Sequence, residues 1–60
     1  MAVETRVAQK EKLFSLLEVK KAYLDAGMEI LPQLIQAIKY AKAAMEAEDI
    51  SHVEKQVMDE

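Results

Sequence analysis

The chain has 60 residues, eleven acidic and eight basic, giving a net charge of −3, with no cysteine and one histidine. A chain this short forms one small domain, and without cysteine it has neither disulfides nor thiolate metal ligands to reinforce a limited core. The acidic balance argues against nucleic acid as a ligand, because phosphates are neutralised by lysine and arginine. We therefore expect a single domain over residues 1–60 that is stabilised by oligomerisation.

The N-terminal residues contain no uninterrupted apolar stretch of signal-peptide type. No apolar run approaches the ~20 residues needed to span a bilayer. The absence of cysteine fits a reducing compartment. These features together predict a small acidic protein of the cytoplasm.

The first predicted helix runs from about residue 3 to residue 26. Alanine, leucine, glutamate and lysine dominate this segment, and all four favour helix. Gly27 is the only glycine and suits the left-handed position that follows a helix, with Met28 covering the preceding turn. The helix is therefore expected to end just before Gly27.

The second predicted helix runs from about residue 29 to residue 48. Pro32 would break a helix interior but is tolerated in a first turn, which places the helix start close to it. Lys39 and Lys42 fall in the later half, where the helix dipole favours positive charge. Two helices of ~36 and ~30 Å joined by a short link predict an antiparallel hairpin.

A short third helix is predicted from about residue 51 to residue 58. Ser51 and Glu54 have the spacing of a capping box, with Asp49 as a rival N-cap two residues earlier. Val53 and Val57 would form the apolar pair of this helix.

A heptad pattern runs along most of the chain and is interrupted only by Lys10, Lys21 and Lys42. An apolar stripe with this spacing must be buried against another helix, and we expect that helix to belong to a second copy. The predicted fold is therefore all-α: a hairpin with a short third helix, dimerised into a helical bundle. The predicted oligomer interface consists of Val7, Phe14, Leu17, Leu24, Met28, Leu31, Leu34, Ile35, Ile38, Ala41 and Met45.

The alternative architecture is one long helix, kinked at Pro32, that dimerises as a parallel coiled coil. In this register Lys20 of one chain would face Asp25 of the other, at the g and e positions. The three interrupting lysines would then lie in the seam, and the second half of the chain is too widely apolar for a narrow seam. We therefore favour the hairpin.

Catalytic and metal-binding patterns are weak. Glu48, Asp49 and His52 would share one helix face, which is half of the ligand set of a di-iron bundle. Glu11 and Glu18 could supply the remaining inward glutamates only if they faced the core, and the pattern places them at its flank. Ser15 and Ser51 have no base spaced to activate them. We predict no enzymatic activity, no cofactor, no metal and no small-molecule substrate.

Three classes of function follow, in descending order. The first is a protein-interaction, adaptor or regulatory module that forms a homo-oligomer, a dimer or tetramer, and binds a protein partner. The second is a membrane-surface amphipathic helix over residues 28–48, although its polar face is poor in lysine and arginine. The third is a nucleic-acid regulator that uses the N-terminal bases Arg6, Lys10, Lys12, Lys20 and Lys21.

Aromatic residues are expected to pack rather than to bind. Phe14 lies on the apolar stripe and is predicted to be in the core. Tyr23 and Tyr40 are predicted to cover the core edge, with their hydroxyl groups in water.

Overall fold

Helices account for all the regular structure in a computed structural model, which describes residues 3–59 of the predicted domain. The three helices are α1 (Val3–Asp25), α2 (Pro32–Ala43) and α3 (Ala47–Met58), and residues 3–59 contain no strand. This confirms the all-α class. The long helix α1 contacts both α2 and α3. Within the same range, no helix combines the length and the apolar character that crossing a bilayer requires.

The end of α1 is set by Gly27. This residue has a φ of 72°, in the left-handed region that glycine adopts without steric cost. The Gly27 amide donates to the carbonyl of Leu24 (N···O 3.1 Å), and the Met28 amide donates to the carbonyl of Tyr23 (2.9 Å). These two bonds form a Schellman motif, which satisfies carbonyls that the helix end leaves free. The predicted role of Gly27 as the residue that ends the first helix is confirmed.

The start of α2 is set by Pro32, which occupies the first turn as predicted. Leu31 is the N-cap and has extended backbone angles, as expected for a residue that precedes proline. The amides of Leu34 and Ile35 donate to the Leu31 carbonyl. The helix therefore begins at residue 32 rather than at the predicted 29. Because α1 and α2 are separate helices, the alternative of one continuous helix kinked at Pro32 is wrong for this chain.

The boundary between α2 and α3 lies earlier than the sequence predicted. α2 ends at Ala43 rather than near residue 48, and α3 begins at Ala47 rather than at Ser51. Ser51 is therefore inside a helix and does not form a capping box. The first turn of α3 instead carries Glu48 and Asp49, whose negative charges are favourable at a helix N-terminus.

The core lies between α1 and the two helices that contact it. Its buried members are Leu13, Leu17, Ile38, Val53 and Val57. Leu13 of α1 is completely buried. Val53 and Val57 of α3 are as well buried as Ile38 of α2, so both shorter helices contribute to the core. Burying a side chain of this size stabilises the fold by roughly 1.5–3 kcal/mol relative to leaving it in water. Leu13 was not among the predicted core residues, whereas its neighbour Phe14 was predicted to be in the core and is only partly buried.

Candidate interaction surface

The lysines that interrupt the apolar stripe form contacts with α3. The ammonium group of Lys21 donates to the carbonyl oxygen of Val57, with Nζ and O 3.3 Å apart. Lys42 Nζ lies 3.7 Å from Oε1 of Glu54, so this lysine joins α2 to α3. The Lys42–Glu54 pair is largely exposed and stabilises the fold by at most about 1 kcal/mol. These positions therefore face another part of the same chain rather than the seam of a coiled coil.

The third interrupting lysine, Lys10, belongs to a charged cluster around Asp49. Arg6 donates to both carboxylate oxygens, with Nε 3.2 Å from Oδ2 and Nη2 3.1 Å from Oδ1. Lys10 Nζ lies 3.6 Å from Oδ1 of the same carboxylate. Asp49 is only 6% exposed, so these cations compensate a charge that has been removed from most of its water.

The titration of Asp49 is shifted by this cluster. The hydrogen bond from Arg6 is the main reason why the pKa of Asp49 is lowered, with the positive charges of Arg6 and Lys10 acting in the same direction and burial opposing them. The same hydrogen bond raises the pKa of Arg6. Asp49 is therefore held in its ionised form, and its interactions attach the first turn of α3 to the start of α1.

The structure does not bring the residues that were considered for metal binding or catalysis into one site. His52 and Glu48 are exposed, whereas Asp49 is buried against Arg6. Within residues 3–59, no group of three histidine, aspartate or glutamate side chains is placed to hold a metal ion. Ser15 and Ser51 are both exposed.

The predicted oligomer interface divides into two sets. The first set is buried in the core of the chain or packs against it, and consists of Phe14, Leu17, Leu34, Ile38, Ala41 and Met45. The second set is exposed, and consists of Val7, Leu24, Met28, Leu31 and Ile35. Much of the stripe is thus wholly or partly buried within a single chain, and the second set is its exposed part.

Most of the exposed set lies at one end of the protein. Leu24, Met28, Leu31 and Ile35 follow the chain from the last turn of α1 through residues 26–31 into the first turn of α2. Between 51% and 58% of each of these side chains is exposed. Exposed apolar side chains that occur singly are normal, but a group of them marks an interaction site.

Met58 adds a fifth apolar side chain to this end. The bond from Lys21 to the carbonyl of Val57 brings the end of α3 beside the end of α1, and Met58 is 82% exposed there. This residue was not predicted, because its position depends on how α3 packs. We use the name apolar end for the set Leu24, Met28, Leu31, Ile35 and Met58.

A groove between α1 and α3 opens at the apolar end. Its volume is about 300 Å³. Its walls are formed by Leu17, Leu24, Val57 and Met58. Lys20, Lys21 and Glu54 are the charged residues that line it, and the charge of Glu54 is countered by Lys42. The groove is therefore lined mainly by apolar side chains, and its net charge is positive because Lys42 offsets Glu54.

The two tyrosines differ in environment. Tyr23 is partly buried on α1, in keeping with the predicted covering role. Tyr40 is 75% exposed and lines a shallow depression with Gln9 and Lys12 of α1.

No protein-family model, curated protein or solved structure matches this chain.

Proposed function

We propose that the chain is a cytoplasmic, non-enzymatic helical module that associates with a second copy of itself and serves as an adaptor or regulatory protein. The apolar end is the observation that supports this proposal. Five large apolar side chains, each more than half exposed, lie at one end of the domain, whereas the core within residues 3–59 has five buried apolar members. Removing such surface from water contributes about 25 cal/mol per Å² to an assembly, from which the entropic cost of association is subtracted.

We propose that α1 and α2 form an antiparallel hairpin, with α3 lying along α1. Tyr40 and Ala41, late in α2, share a depression with Gln9 and Lys12, early in α1, which supports the antiparallel arrangement of these two helices. Arg6 pairs with Asp49, and Lys21 bonds to Val57, so α3 follows α1 from start to end. Association of two such units through their apolar ends would give a helical bundle.

The membrane and nucleic-acid alternatives receive less support. The amphipathic face that would enter a membrane includes Leu34 and Ile38, which already pack in the core of the chain. The N-terminal basic strip includes Arg6 and Lys10, whose charges are engaged by Asp49. Part of each surface is therefore already engaged within the chain, which weakens the case for lipid or phosphate binding.

The test is the molar mass in solution, measured by light scattering over a range of concentrations, with circular dichroism on the same samples. We expect a helical species of twice the mass of one chain that dissociates on dilution. A helical monomer at all concentrations would refute self-association. Co-sedimentation with anionic liposomes, or binding to DNA that weakens steeply with salt, would instead support the membrane or nucleic-acid alternative.

A further inference from the structure

The link between α1 and α2 (residues 26–31) presents an apolar side chain beside acidic ones. Met28 is 57% exposed and follows Gly27, whose left-handed conformation turns the chain away from α1. Asp25 precedes this turn and Glu29 follows it, and both are exposed. Within residues 3–59, neither carboxylate forms an ion pair with a side chain of the same chain. The link is thus an apolar projection with negative charge on both sides.

The groove between α1 and α3 has the complementary properties. Four apolar side chains line it together with Lys20, Lys21 and Glu54, and the negative charge of Glu54 is countered by Lys42. Lys21 is held in place by its bond to the Val57 carbonyl, and Lys20 forms no ion pair within residues 3–59. An apolar groove with two ammonium groups at its edge suits an apolar side chain that has carboxylates next to it.

We propose that the groove of one copy receives Met28 of a second copy, with Asp25 and Glu29 of that copy facing Lys20 and Lys21. This inference rests on the proposed self-association and specifies the contact that produces it. Methionine suits the role, because its flexible side chain adapts to an irregular groove.

The arrangement also fixes the symmetry of the assembly. Each chain carries both a groove and a link at the same end, so two chains exchange identical contacts around a two-fold axis. Such an interface closes on itself and stops at a dimer, whereas a head-to-tail contact would extend into a filament.

Charge reversal with complementation tests this pairing. Lys20→Glu places a negative charge opposite the acidic link, and Glu29→Lys places a positive charge opposite the basic rim. We expect each variant alone to raise the dissociation constant of the dimer by about tenfold or more, because like charges then face each other at both contacts. An equimolar mixture brings opposite charges together again at both contacts, and we expect it to regain the dimer within about threefold of wild-type affinity. Lys21 is left unchanged, because its bond to Val57 holds α3.

Lys12→Glu is the matched control, since it makes the same charge change at an exposed position of α1 outside the groove. Its dimer dissociation constant should stay within about twofold of the wild-type value, and all variants should keep the wild-type circular dichroism spectrum. If the mixture does not recover, or if Lys12→Glu weakens the dimer as much as Lys20→Glu does, the proposed pairing is wrong although self-association stands. If the wild-type chain is itself monomeric, the proposed function fails instead.

Cysteine cross-linking provides a second readout that is independent of charge. The chain has no cysteine, so single substitutions report on single positions. A mixture of Met28→Cys and Met58→Cys should form mixed disulfides at least about tenfold faster than a mixture of Val19→Cys and Met58→Cys, because Met28 of one copy lies against Met58 of the other. Equal rates for the two mixtures would overturn the placement of Met28 in the groove.

Discussion

The guanidinium group of Arg6 binds both oxygens of the Asp49 carboxylate, 43 positions later in the chain. This contact joins the start of the first helix to the first turn of the last one. It also explains why an aspartate is buried in a domain with so small a core. A buried carboxylate is tolerated when it is ionised and accepts hydrogen bonds from a cation, and Arg6 provides a geometry that lysine alone does not.

Asp49→Asn should destabilise the fold at neutral pH and should do so less in acid. The pKa of Asp49 is lowered in the folded chain relative to its ordinary value of 3.8. Its contribution to the free energy of unfolding is therefore fully present above that value and is lost as the pH falls through the lower, folded pKa. Urea denaturation at pH 7, 5, 4 and 3, at one protein concentration, should show the difference between wild type and variant shrinking below about pH 4.

Glu11→Gln is the control for this series, because Glu11 is an exposed carboxylate of α1. We expect it to change the free energy of unfolding by no more than about 0.5 kcal/mol at each pH. A penalty for Asp49→Asn that is the same at pH 7 and pH 3 would show that Asp49 acts through its shape and not through its charge.

The burial of Leu13 gives a direct test of the core. Leu13→Ala should lower the free energy of unfolding by about 2–5 kcal/mol, because the side chain is completely buried and its removal leaves a cavity. Val19→Ala, on the same helix at a position that is 44% exposed, should change it by no more than about 0.5 kcal/mol. Denaturant midpoints for the two variants, compared with the wild type, measure the difference. Similar midpoints for both would place Leu13 outside the core.

The heptad pattern identified the helices but not the buried side of α1. Leu13 and Phe14 are adjacent on α1, and the four-and-three spacing from Val3 selects Phe14. That register assumes a single partner helix, whereas α1 contacts two helices at once. The face between the two partners becomes the most buried, and it includes Leu13 and Leu17. A sequence pattern cannot locate this face without the position of the third helix.

The lysines of the stripe also show that a sequence pattern does not reveal which helices will be in contact. In the sequence, Lys10, Lys21 and Lys42 read as interruptions in a seam between two chains. In the structure, each of them contacts α3, a helix that was predicted to be shorter. These contacts join residues that are 12 to 39 positions apart, so they depend on packing rather than on local propensity. The turn at Gly27 and the proline in the first turn of α2 depend on local signals, and the sequence was sufficient to predict them.

Substitutions at Gly27 should distinguish the energetic cost of the backbone conformation from that of steric contact. Gly27→Ala should lower the free energy of unfolding by roughly 1–2 kcal/mol, because a side chain disfavours the left-handed φ of 72°. Beyond Gly27 and its two neighbours in the chain, no atom of the described residues lies within 4 Å of the position that a Cβ would take, so contact with other residues adds nothing to this cost. Gly27→Asn should cost less, since asparagine tolerates this conformation better. Melting temperatures that rank glycine above asparagine above alanine would agree, whereas equal values for all three would contradict the argument.

Substitutions at two isoleucines of α2, three positions apart, should distinguish an effect on association from an effect on folding. Ile35 belongs to the apolar end and is 53% exposed, whereas Ile38 belongs to the core and is 7% exposed. Ile35→Asp places a charge where water reaches it in a single chain, so we expect helicity to be kept and the dimer to be lost. Ile38→Asp buries a charge without a partner, at a cost of several kcal/mol, so we expect loss of both helicity and assembly.

Light scattering and circular dichroism on these two variants provide the measurement, with Val19→Asp as an exposed control outside the apolar end. The control should remain dimeric and helical, because Val19 lies on α1 at a position that is 44% exposed and does not line the groove. If Ile35→Asp unfolds the chain as Ile38→Asp does, the apolar end is needed for folding and a helical monomer does not exist. If Ile35→Asp leaves the dimer intact, the association uses a different surface, because a charge within the contact would be desolvated without a partner.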